Sequence, residues 1–249
     1  GEAVIARPVG RLVWFHAASV GEAVSLLELL RRLREIRPAL TCLITTGTVT
    51  SAQLVAERMP VGCIHQFVPL DVLPWVERFL DHWQPDLAVW TESELWPAML
   101  VATHRRKIPM LLINARISHR SYRRWRMMRG AARGLLTRFE RILAQDNLAG
   151  EQLLALGADP ERLQVIGSLK EGSAPLPCDE AERVRLVRLF AGRPLWLAAS
   201  THPGEEAAAL SAHDVARRRV PRLGMILAPR HPDRGDALAA EMRAHGVNV

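Results

Sequence analysis

The segment LVWFHAASVGEAVSLLELL, residues 12–30, joins an apolar run to a helical pattern through a short polar turn. The apolar run has the length and composition of a buried β-strand, and Leu27 and Leu30 continue one face of an amphipathic helix. Ser19 and Glu22 have the S-x-x-E spacing of a capping box, in which both side chains satisfy free amides of the first helical turn. The segment therefore predicts a strand–turn–helix unit.

Glu22 has two possible roles in this unit. The capping pattern alone favours a helix cap, because such boxes are common at helix N-termini. The alternative is a general base at the carboxyl end of a buried strand, where α/β proteins bind their ligands. The turn sequence leaves both roles open.

The same alternation of apolar runs and helical patterns continues along the whole chain. Strands that are apolar on both faces are typical of a parallel sheet covered by helices, so the chain predicts an α/β, Rossmann-like architecture. The predicted strands cover residues 11–16, 40–45, 62–68, 86–91, 109–114, 141–144, 163–167, 194–199 and 223–228.

A Pro- and Gly-containing stretch, EGSAPLPCDE at 171–180, interrupts the alternation. After it, PLWLAASTHPGEEAAAL at 194–210 repeats the order strand, Ala-Ala-Ser, Gly-Glu and amphipathic helix found at 12–30. We therefore expect one α/β domain over 1–170, a linker over 171–178 and the start of a second α/β domain over 179–249. Two predicted strands after the linker are few for such a domain, so the chain is expected to be a fragment.

Composition excludes several classes of protein. Of the 249 residues, 49% are hydrophobic and 24% are charged, as in a globular domain rather than a disordered chain. No window of eighteen consecutive apolar residues and no signal-peptide pattern is present. Cys42, Cys63 and Cys178 are scattered without metal-ligand spacing, which predicts reduced thiols, a cytosolic compartment and no zinc site.

The net charge of +7 is concentrated in one segment, RISHRSYRRWRMMRGAAR at 116–133, which holds seven arginines and no acid. Three interpretations remain open for it. The arginines could form a solvated helix face, or the helix could lie on an anionic lipid surface with its aromatic and methionine side chains at the headgroups. Alternatively, the arginines could follow phosphates while aromatic rings stack on single-stranded nucleic acid.

Polar side chains follow three strands of the first predicted domain. Ser19, Gly21 and Glu22 follow the first strand; Glu92 and Glu94 follow the strand at 86–91, and Ser168 and Lys170 follow the strand at 163–167. Taken singly, the acids could be helix-entry residues and the lysine a surface residue. Because carboxyl ends of parallel strands share one sheet edge, together they predict a site with carboxylates and a lysine.

The second predicted domain carries ASTHPGEE and LAPRHPDR directly after its strands. The hydroxyls of Ser200 and Thr201, with nearby helix amides, suit a phosphate, and Arg230 and His231 add donors and positive charge. Neither a P-loop nor a GxGxxG motif is present, so ordinary nucleotide hydrolysis and dinucleotide binding lack their motifs. His202 and His231 have no metal-ligand spacing, and we predict no metal site.

Seven short motifs occur in order along the chain: HAASVGE (16–22), HQFVPLD (65–71), TESELWP (91–97), INARIS (113–118), GSLK (167–170), STHPGEE (200–206) and PRHPDR (229–234). With these motifs the sequence resembles the Kdo transferases of Gram-negative lipopolysaccharide synthesis. These enzymes transfer 3-deoxy-D-manno-octulosonic acid (Kdo) from CMP-Kdo to a lipid A precursor. The resemblance implies the GT-B architecture, two Rossmann-like domains with an intervening cleft, here without the family's N-terminal membrane segment and the end of its donor domain.

The resemblance also implies residue roles, carried over motif by motif. It implies Glu22 as the general base, and Glu92 and Lys170 as groups that stabilise the transition state. It also implies that Arg230 and His231 contact the CMP portion. With the strand-end pattern, nucleotide-sugar binding is assigned to Ser200, Thr201, His202, Arg230 and His231. From the residue patterns, contacts with the acceptor or the membrane are assigned to Ser19, Gly21, Glu94, Arg116, Arg120, Arg123, Arg124 and Arg126.

The expected function is therefore a metal-independent, inverting glycosyltransferase with CMP-Kdo as donor and no further cofactor. Its expected partner is a lipid A precursor of the lipid IVA type at the anionic cytoplasmic face of the inner membrane, and no nucleic acid. The alternative is a non-catalytic α/β module that binds an anionic ligand or nucleic acid.

Overall fold

The computed structural model describes residues 5–92, 95–169, 178–244 and 246–247. The chain divides into two compact units, Gly1–Pro175 and Leu176–Val249. This division falls inside the predicted linker at 171–178, most of which lies outside the described residues, so the linker and the domain limits around it stay predictions.

The strands are β1 (Leu12–Ala17), β2 (Thr41–Thr46), β3 (Cys63–Phe67), β4 (Leu87–Thr91), β5 (Met110–Ala115), β6 (Arg141–Ala144), β7 (Leu163–Val165), β8 (Leu195–Thr201) and β9 (Gly224–Pro229). The helices are α1 (Val20–Ile36), α2 (Val49–Arg58), α3 (Leu73–Trp83), α4 (Pro97–Arg105), α5 (His119–Met127), α6 (Arg129–Leu136), α7 (Asn147–Ala155), α8 (Glu180–Leu189), α9 (Glu205–Arg217) and α10 (Gly235–Ala244). The ends of each predicted strand lie within two residues of the ends of an observed strand.

The first unit contains a seven-stranded sheet in the order β3-β2-β1-β4-β5-β6-β7, and all of its strand pairs are parallel. This arrangement confirms the predicted α/β class. The order reverses between β1 and β4, and open sheets of this kind bind ligands at the carboxyl ends of the strands beside such a reversal.

β1 is buried on both faces because helices cover the sheet from both sides. All six of its residues are buried. Val13 and Phe15 pack with α1 and α2, whereas Leu12 and Trp14 belong to the larger core formed with α3, α4, α6 and α7. Trp14 and the fully buried Trp90 of β4 meet edge to face, with ring centroids 4.8 Å apart. These contacts fix β1 and β4 side by side.

A groove of about 890 Å³ lies on the sheet face that α1 and α2 cover. Its lining is almost entirely apolar and includes Val13, Phe15, Val89, Leu111, Ile113 and Leu143. None of the assigned functional-site residues that the structure describes lines this groove. It is therefore a feature of the sheet face, separate from the polar groups at the strand ends.

The second unit holds a two-stranded parallel sheet, β8 and β9, together with α8, α9 and α10. Among its described residues, Leu238 and Met242 are the buried large hydrophobic side chains, whereas Leu197 of β8 is 58% exposed. Its apolar core is therefore much smaller than that of the first unit.

Candidate functional site

Glu22 lies in the first turn of α1, directly after β1, and completes the capping box that its sequence predicts. The Ser19 hydroxyl accepts a hydrogen bond from the Glu22 amide (3.2 Å) and donates one to Glu22 Oε1 (2.9 Å). Glu22 Oε2 accepts from the backbone amide of Ala18 (2.8 Å). The carboxylate is 4% exposed and lies at the carboxyl end of a central strand. The capping role is confirmed, and the role as a base stays a prediction.

Gly21 precedes this carboxylate in the first turn of α1. A Cβ atom built on Gly21 would meet no atom within 4 Å. Packing therefore does not require glycine there.

Glu92 directly follows β4, and helix α4 begins at Pro97. It has a left-handed backbone conformation (φ +58°) and is 7% exposed. Its amide donates to the Ile113 carbonyl (3.1 Å), and its Oε2 accepts from Arg116 Nε (2.8 Å). Glu92 is not in the first turn of α4, so the role of helix-entry residue that the sequence left open for this acid does not apply. The predicted residues Glu92 and Arg116 form an ion pair.

His16, the first residue of the HAASVGE motif, links the ends of β1, β2 and β4. Its carbonyl accepts from the Thr91 hydroxyl, and its Nδ1 lies 3.1 Å from Thr45 Oγ1. The ring is fully buried and packs edge to face on Trp96 (5.3 Å between centroids). Burial lowers the pKa of His16 to about 4, so the ring is neutral at pH 7.

Asp71 connects two of the sequence motifs, although neither spacing nor composition singled it out. Its carboxylate accepts hydrogen bonds from the amides of Ala98 (3.2 Å) and Met99 (2.7 Å) in the first turn of α4. The end of HQFVPLD therefore caps the helix that begins at the end of TESELWP. This contact holds the loop after β3 at the first turn of α4.

Asn114 is a second residue that the sequence reasoning missed. It lies near the end of β5 with φ +50°, is 1% exposed, and its Oδ1 accepts from the amide of Leu169 (3.2 Å). The available sequence signals were its place in the motif INARIS and the occurrence of an asparagine inside an apolar strand pattern, since Asn adopts the left-handed conformation more readily than most residues with a side chain. The predicted residues Lys170 and Glu94 lie outside the described part of the chain.

The arginines predicted to contact acceptor or membrane lie on and before α5. Arg120, Arg123, Arg124 and Arg126 are all exposed. The aromatic side chains of this helix, Tyr122 and Trp125, are half-buried and pack against the core of the first unit, whereas Met127 and Met128 are 81% and 50% exposed. The helix thus presents arginines and methionines to solvent.

The two strand ends of the second unit lie together, as the sequence predicts for its anion-binding residues. The Arg230 amide donates to the Thr201 carbonyl (3.0 Å), and the rings of His202 and His231 lie 6.5 Å apart. Ser200 has a left-handed backbone conformation, φ +59°. The five predicted nucleotide-sugar residues therefore lie at the end of β8 and in the segments that directly follow β8 and β9.

A buried carboxylate supports these two loops and was not singled out from the sequence. Glu206 is 3% exposed, and its Oε1 accepts from the Thr201 hydroxyl (3.1 Å) and from Arg234 Nη1 (2.8 Å). The hydrogen bond from Arg234 is the main reason why the pKa of Glu206 is lowered. Both residues belong to the motifs STHPGEE and PRHPDR, which were the signal available for them.

The described residues were also compared with the requirements of a metal site and of a membrane-spanning helix. Within the described ranges, no group of three or more His, Cys, Asp or Glu side chains is arranged to hold a metal ion. No helix in those same ranges is long and apolar enough to cross a lipid bilayer.

The fold and the polar strand ends define a class of protein. The structure resembles a UDP-GlcNAc 2-epimerase from Neisseria meningitidis solved with UDP-GlcNAc (TM-score 0.64, 13% identity, 96% of this chain and 70% of that chain). It also resembles a glycosyltransferase from Rickettsia africae (TM-score 0.62, 12% identity, 95% of this chain and 66% of that chain). The fold is that of the GT-B glycosyltransferases and epimerases.

Sequence comparison identifies the family within this class. The model of the 3-deoxy-D-manno-octulosonic-acid transferase (kdotransferase) family matches residues 2–172. The chain belongs to this family. It is 35% identical over 248 residues to an Arabidopsis thaliana protein named "Probable 3-deoxy-D-manno-octulosonic acid transferase, mitochondrial" and 33% identical over 229 residues to the 3-deoxy-D-manno-octulosonic acid transferase of Haemophilus influenzae.

These matches cover 98% and 91% of the chain, respectively. The same matches cover 56% and 53% of the two relatives, so the chain spans about half of their length.

Proposed function

We propose that the protein carrying this chain transfers Kdo from CMP-Kdo to a lipid A precursor with inversion at the anomeric carbon. The observation that carries the proposal is the placement of Glu22, a buried carboxylate directly after a central strand of a GT-B fold. Membership of the Kdo transferase family supports the sugar that is transferred.

In the proposed reaction, Glu22 accepts the proton of an acceptor hydroxyl while that oxygen attacks the anomeric carbon. The bond from the anomeric carbon to the phosphate oxygen breaks, and CMP leaves with the bonding electrons. Glu92, oriented by its ion pair with Arg116, stabilises positive charge that develops on the sugar. Lys170 stabilises negative charge on the departing phosphate, since fixed charges aimed at developing charge lower the barrier.

The second unit supplies the proposed groups for the nucleotide. Thr201 and Ser200 offer hydroxyls, and Arg230 with His231 offers donors to the phosphate. Glu206 accepts from the Thr201 hydroxyl and pairs with Arg234, so it fixes the loops after both strands. These groups bind an anion through charge and hydrogen bonds, and the proposal includes no metal.

The acceptor side of the proposal is the surface formed by α5. Four exposed arginines and the exposed Met127 and Met128 form a basic, partly apolar surface. Such a surface is attracted to anionic headgroups and lets apolar side chains enter the headgroup boundary. We therefore place the protein at the anionic cytoplasmic face of the inner membrane.

The proposal is tested by Glu22→Gln in the full-length protein. Glutamine at this position still completes a capping box, so the fold and donor binding are expected to persist. Turnover is expected to fall by about 100- to 10,000-fold, the usual contribution of a general base. The matched control is Glu35→Gln near the other end of the same helix, where the exposed Glu35 pairs with Arg31, and its turnover should equal that of the wild type.

A radiolabelled transfer assay with a lipid A-type acceptor measures this turnover, and mass spectrometry identifies the product. Equal turnover of Glu22→Gln and wild type would refute the base. Transfer is expected to continue in excess EDTA, and its loss would refute metal independence. A wild-type protein that binds anionic liposomes but forms no product would instead support the non-catalytic alternative.

A further inference from the structure

We infer that Arg116 binds the carboxylate of the transferred sugar: its Nε–H group is bound to Glu92, and its two terminal amino groups receive the anionic group of the substrate. The inference rests on the proposed function and deepens it, because that proposal gives Arg116 only the orientation of Glu92. It makes Arg116 the residue that selects a sugar acid over a neutral sugar.

The chemistry of the transferred group creates a need for positive charge. Kdo, an octulosonic acid, is a keto sugar acid whose carboxylate is bonded directly to the anomeric carbon. Glu22 and Glu92 are buried carboxylates at the ends of β1 and β4, which are neighbours in the sheet. They disfavour a third carboxylate beside them, since like charges repel strongly where little water is present. A cation at the same strand ends offsets this repulsion.

Arg116 is placed to supply that cation. It directly follows β5, and β1, β4 and β5 are consecutive in the sheet. Its Nε donates to Glu92 Oε2 (2.8 Å), and its side chain is 52% exposed. Ala115 and Ile117 on either side of it are buried, so the backbone at this point is anchored in the core. The guanidinium is therefore paired with a buried carboxylate and accessible to a substrate.

The pairing of Arg116 with Glu92 leaves part of the guanidinium unused. Three other arginines of the chain bind a glutamate with Nε and Nη2 on its two carboxylate oxygens: Arg31 on Glu28, Arg183 on Glu180 and Arg185 on Glu182. Arg116 uses Nε alone, and among the described residues neither of its terminal amino groups has a hydrogen-bond partner. A guanidinium binds a carboxylate or a phosphate through two parallel N–H groups, and the edge formed by Nη1 and Nη2 offers such a pair.

Two anionic groups of the proposed substrates fit this edge, the sugar carboxylate of the donor and a phosphate of the acceptor. The geometry favours the carboxylate. Glu92, the partner of Arg116, is the group proposed to act on charge at the sugar, and the carboxylate is bonded to the reacting carbon of that sugar. An acceptor phosphate has the exposed arginines of α5 available instead.

The test uses Arg116→Gln in the full-length protein, because the amide nitrogen of glutamine stands as many bonds from the backbone as Nε of arginine. The variant keeps a donor for Glu92 and loses the charge and the terminal amino groups. We expect the Kd for CMP-Kdo to rise about 10- to 100-fold, the usual contribution of a hydrogen bond to a charged group, and the Kd for CMP to change less than about twofold. Calorimetric titration without acceptor measures both constants.

The matched control is Arg106→Gln. Arg106 lies at the end of α4 and pairs with Asp81 through one amino group (2.7 Å), so this variant also removes an arginine from an ion pair. Neither Kd should change in it. Equal Kd values of the wild type and Arg116→Gln for CMP-Kdo would overturn the inference.

A donor analogue with a carboxamide in place of the sugar carboxylate separates recognition of the sugar from orientation of Glu92. The wild type should prefer CMP-Kdo over this analogue in kcat/KM by about 10- to 100-fold more than Arg116→Gln does. The intrinsic reactivity of the two donors is the same in both proteins, so it cancels in this comparison. An equal loss of kcat/KM with both donors would mean that Arg116 acts only through Glu92, and the inference would be wrong.

Two further outcomes separate the inference from its alternatives. A raised KM for the acceptor with an unchanged Kd for CMP-Kdo would assign the amino groups to an acceptor phosphate and would contradict the inference. A wild-type protein that binds CMP-Kdo more tightly than CMP, but forms no product, would overturn the proposed transfer. In that case the loss of this difference in Arg116→Gln would still support the carboxylate contact.

Discussion

Left-handed residues with side chains divide into two groups by their place along the strands. Glu92, Asn114 and Ser200 lie at the carboxyl ends of β4, β5 and β8, whereas Gln84, Lys107 and Arg222 lie in the turns that lead into β4, β5 and β9. Turns commonly use this region, but strand ends can continue in extended conformation. In the first group, the left-handed conformation destabilises the fold by roughly 1 to 3 kcal/mol per residue. These residues lie at the candidate site, as expected because strained backbone conformations cluster at functional sites.

His16 makes a prediction about pH. Burial lowers its pKa to about 4 in the folded chain, from 6.5 when exposed. Between these pH values the unfolded chain binds a proton that the folded chain does not bind. The contribution of His16 to the free energy of unfolding is therefore fully present above pH 6.5 and is lost as the pH falls towards 4. The difference between the two pKa values corresponds to about 3 kcal/mol. In His16→Gln, the free energy of unfolding should therefore depend less steeply on pH between 6.5 and 4 than in the wild type.

Urea unfolding of the 249-residue chain, followed by the fluorescence of the buried tryptophans, measures this difference across the pH range. The control is His104→Gln, because His104 is exposed at the end of α4. Carboxylates titrate in every variant, so only the difference between wild type and His16→Gln reports on the ring. Parallel pH curves for those two proteins would show that His16 does not carry the dependence.

At the scale of elements, the sequence predicted the strands well and the site contacts partly. Apolar runs such as 86–91 reveal buried strands because both faces of a covered parallel sheet must be apolar. The capping box at Ser19 and Glu22 is likewise local, and local patterns are readable. Asp71 capping α4 and Asn114 holding Leu169 join residues 27 to 55 positions apart. No spacing rule in one sequence reveals such contacts, since they depend on which strand ends the fold brings together.

Helix α5 carries a prediction about membranes. Replacing Arg120, Arg123, Arg124 and Arg126 by glutamine should remove binding to anionic liposomes and leave the weak binding to neutral ones unchanged. Each basic residue near an anionic surface contributes about 1 kcal/mol to the binding free energy, so the affinity for anionic liposomes should fall by more than about tenfold. The fold should persist, because the arginines are exposed and the core contacts of the helix come from Tyr122 and Trp125.

Co-sedimentation of the 249-residue chain with liposomes of stated charge measures this binding. A control variant removes the same charge from the second unit, at the exposed residues Arg188, Arg217, Arg218 and Arg219. Equal losses in both variants would mean that net charge, rather than α5, attracts the protein. In the full-length protein the α5 variant should also raise the KM for the acceptor.

At the scale of the molecule, the two units differ in how much apolar surface they bury. The first unit packs fully buried tryptophans, leucines and methionines on one face of its seven-stranded sheet, and fully buried leucines with Ile44 and Val55 on the other. Among the described residues of the second unit, Leu238 and Met242 are the buried large hydrophobic side chains. A two-stranded sheet is marginal without a substantial apolar face packed against it. We therefore expect the unit that carries the loops proposed to bind the nucleotide to open more readily than the first unit.

This inequality predicts a difference in local opening within the 249-residue chain. Amides of β8 at 195–201 should exchange with deuterium long before those of β1 at 12–17, because exchange reports the free energy of local opening. Hydrogen-exchange mass spectrometry compares peptides from the two strands in one sample, so solution conditions are identical. Adding CMP should slow exchange in β8 and leave β1 unchanged, since a ligand stabilises the unit that binds it. Equal protection of both strands without ligand would show that the small core of the second unit is sufficient to prevent local opening of β8. If CMP slowed exchange at β1 alone, the nucleotide would bind to the first unit instead.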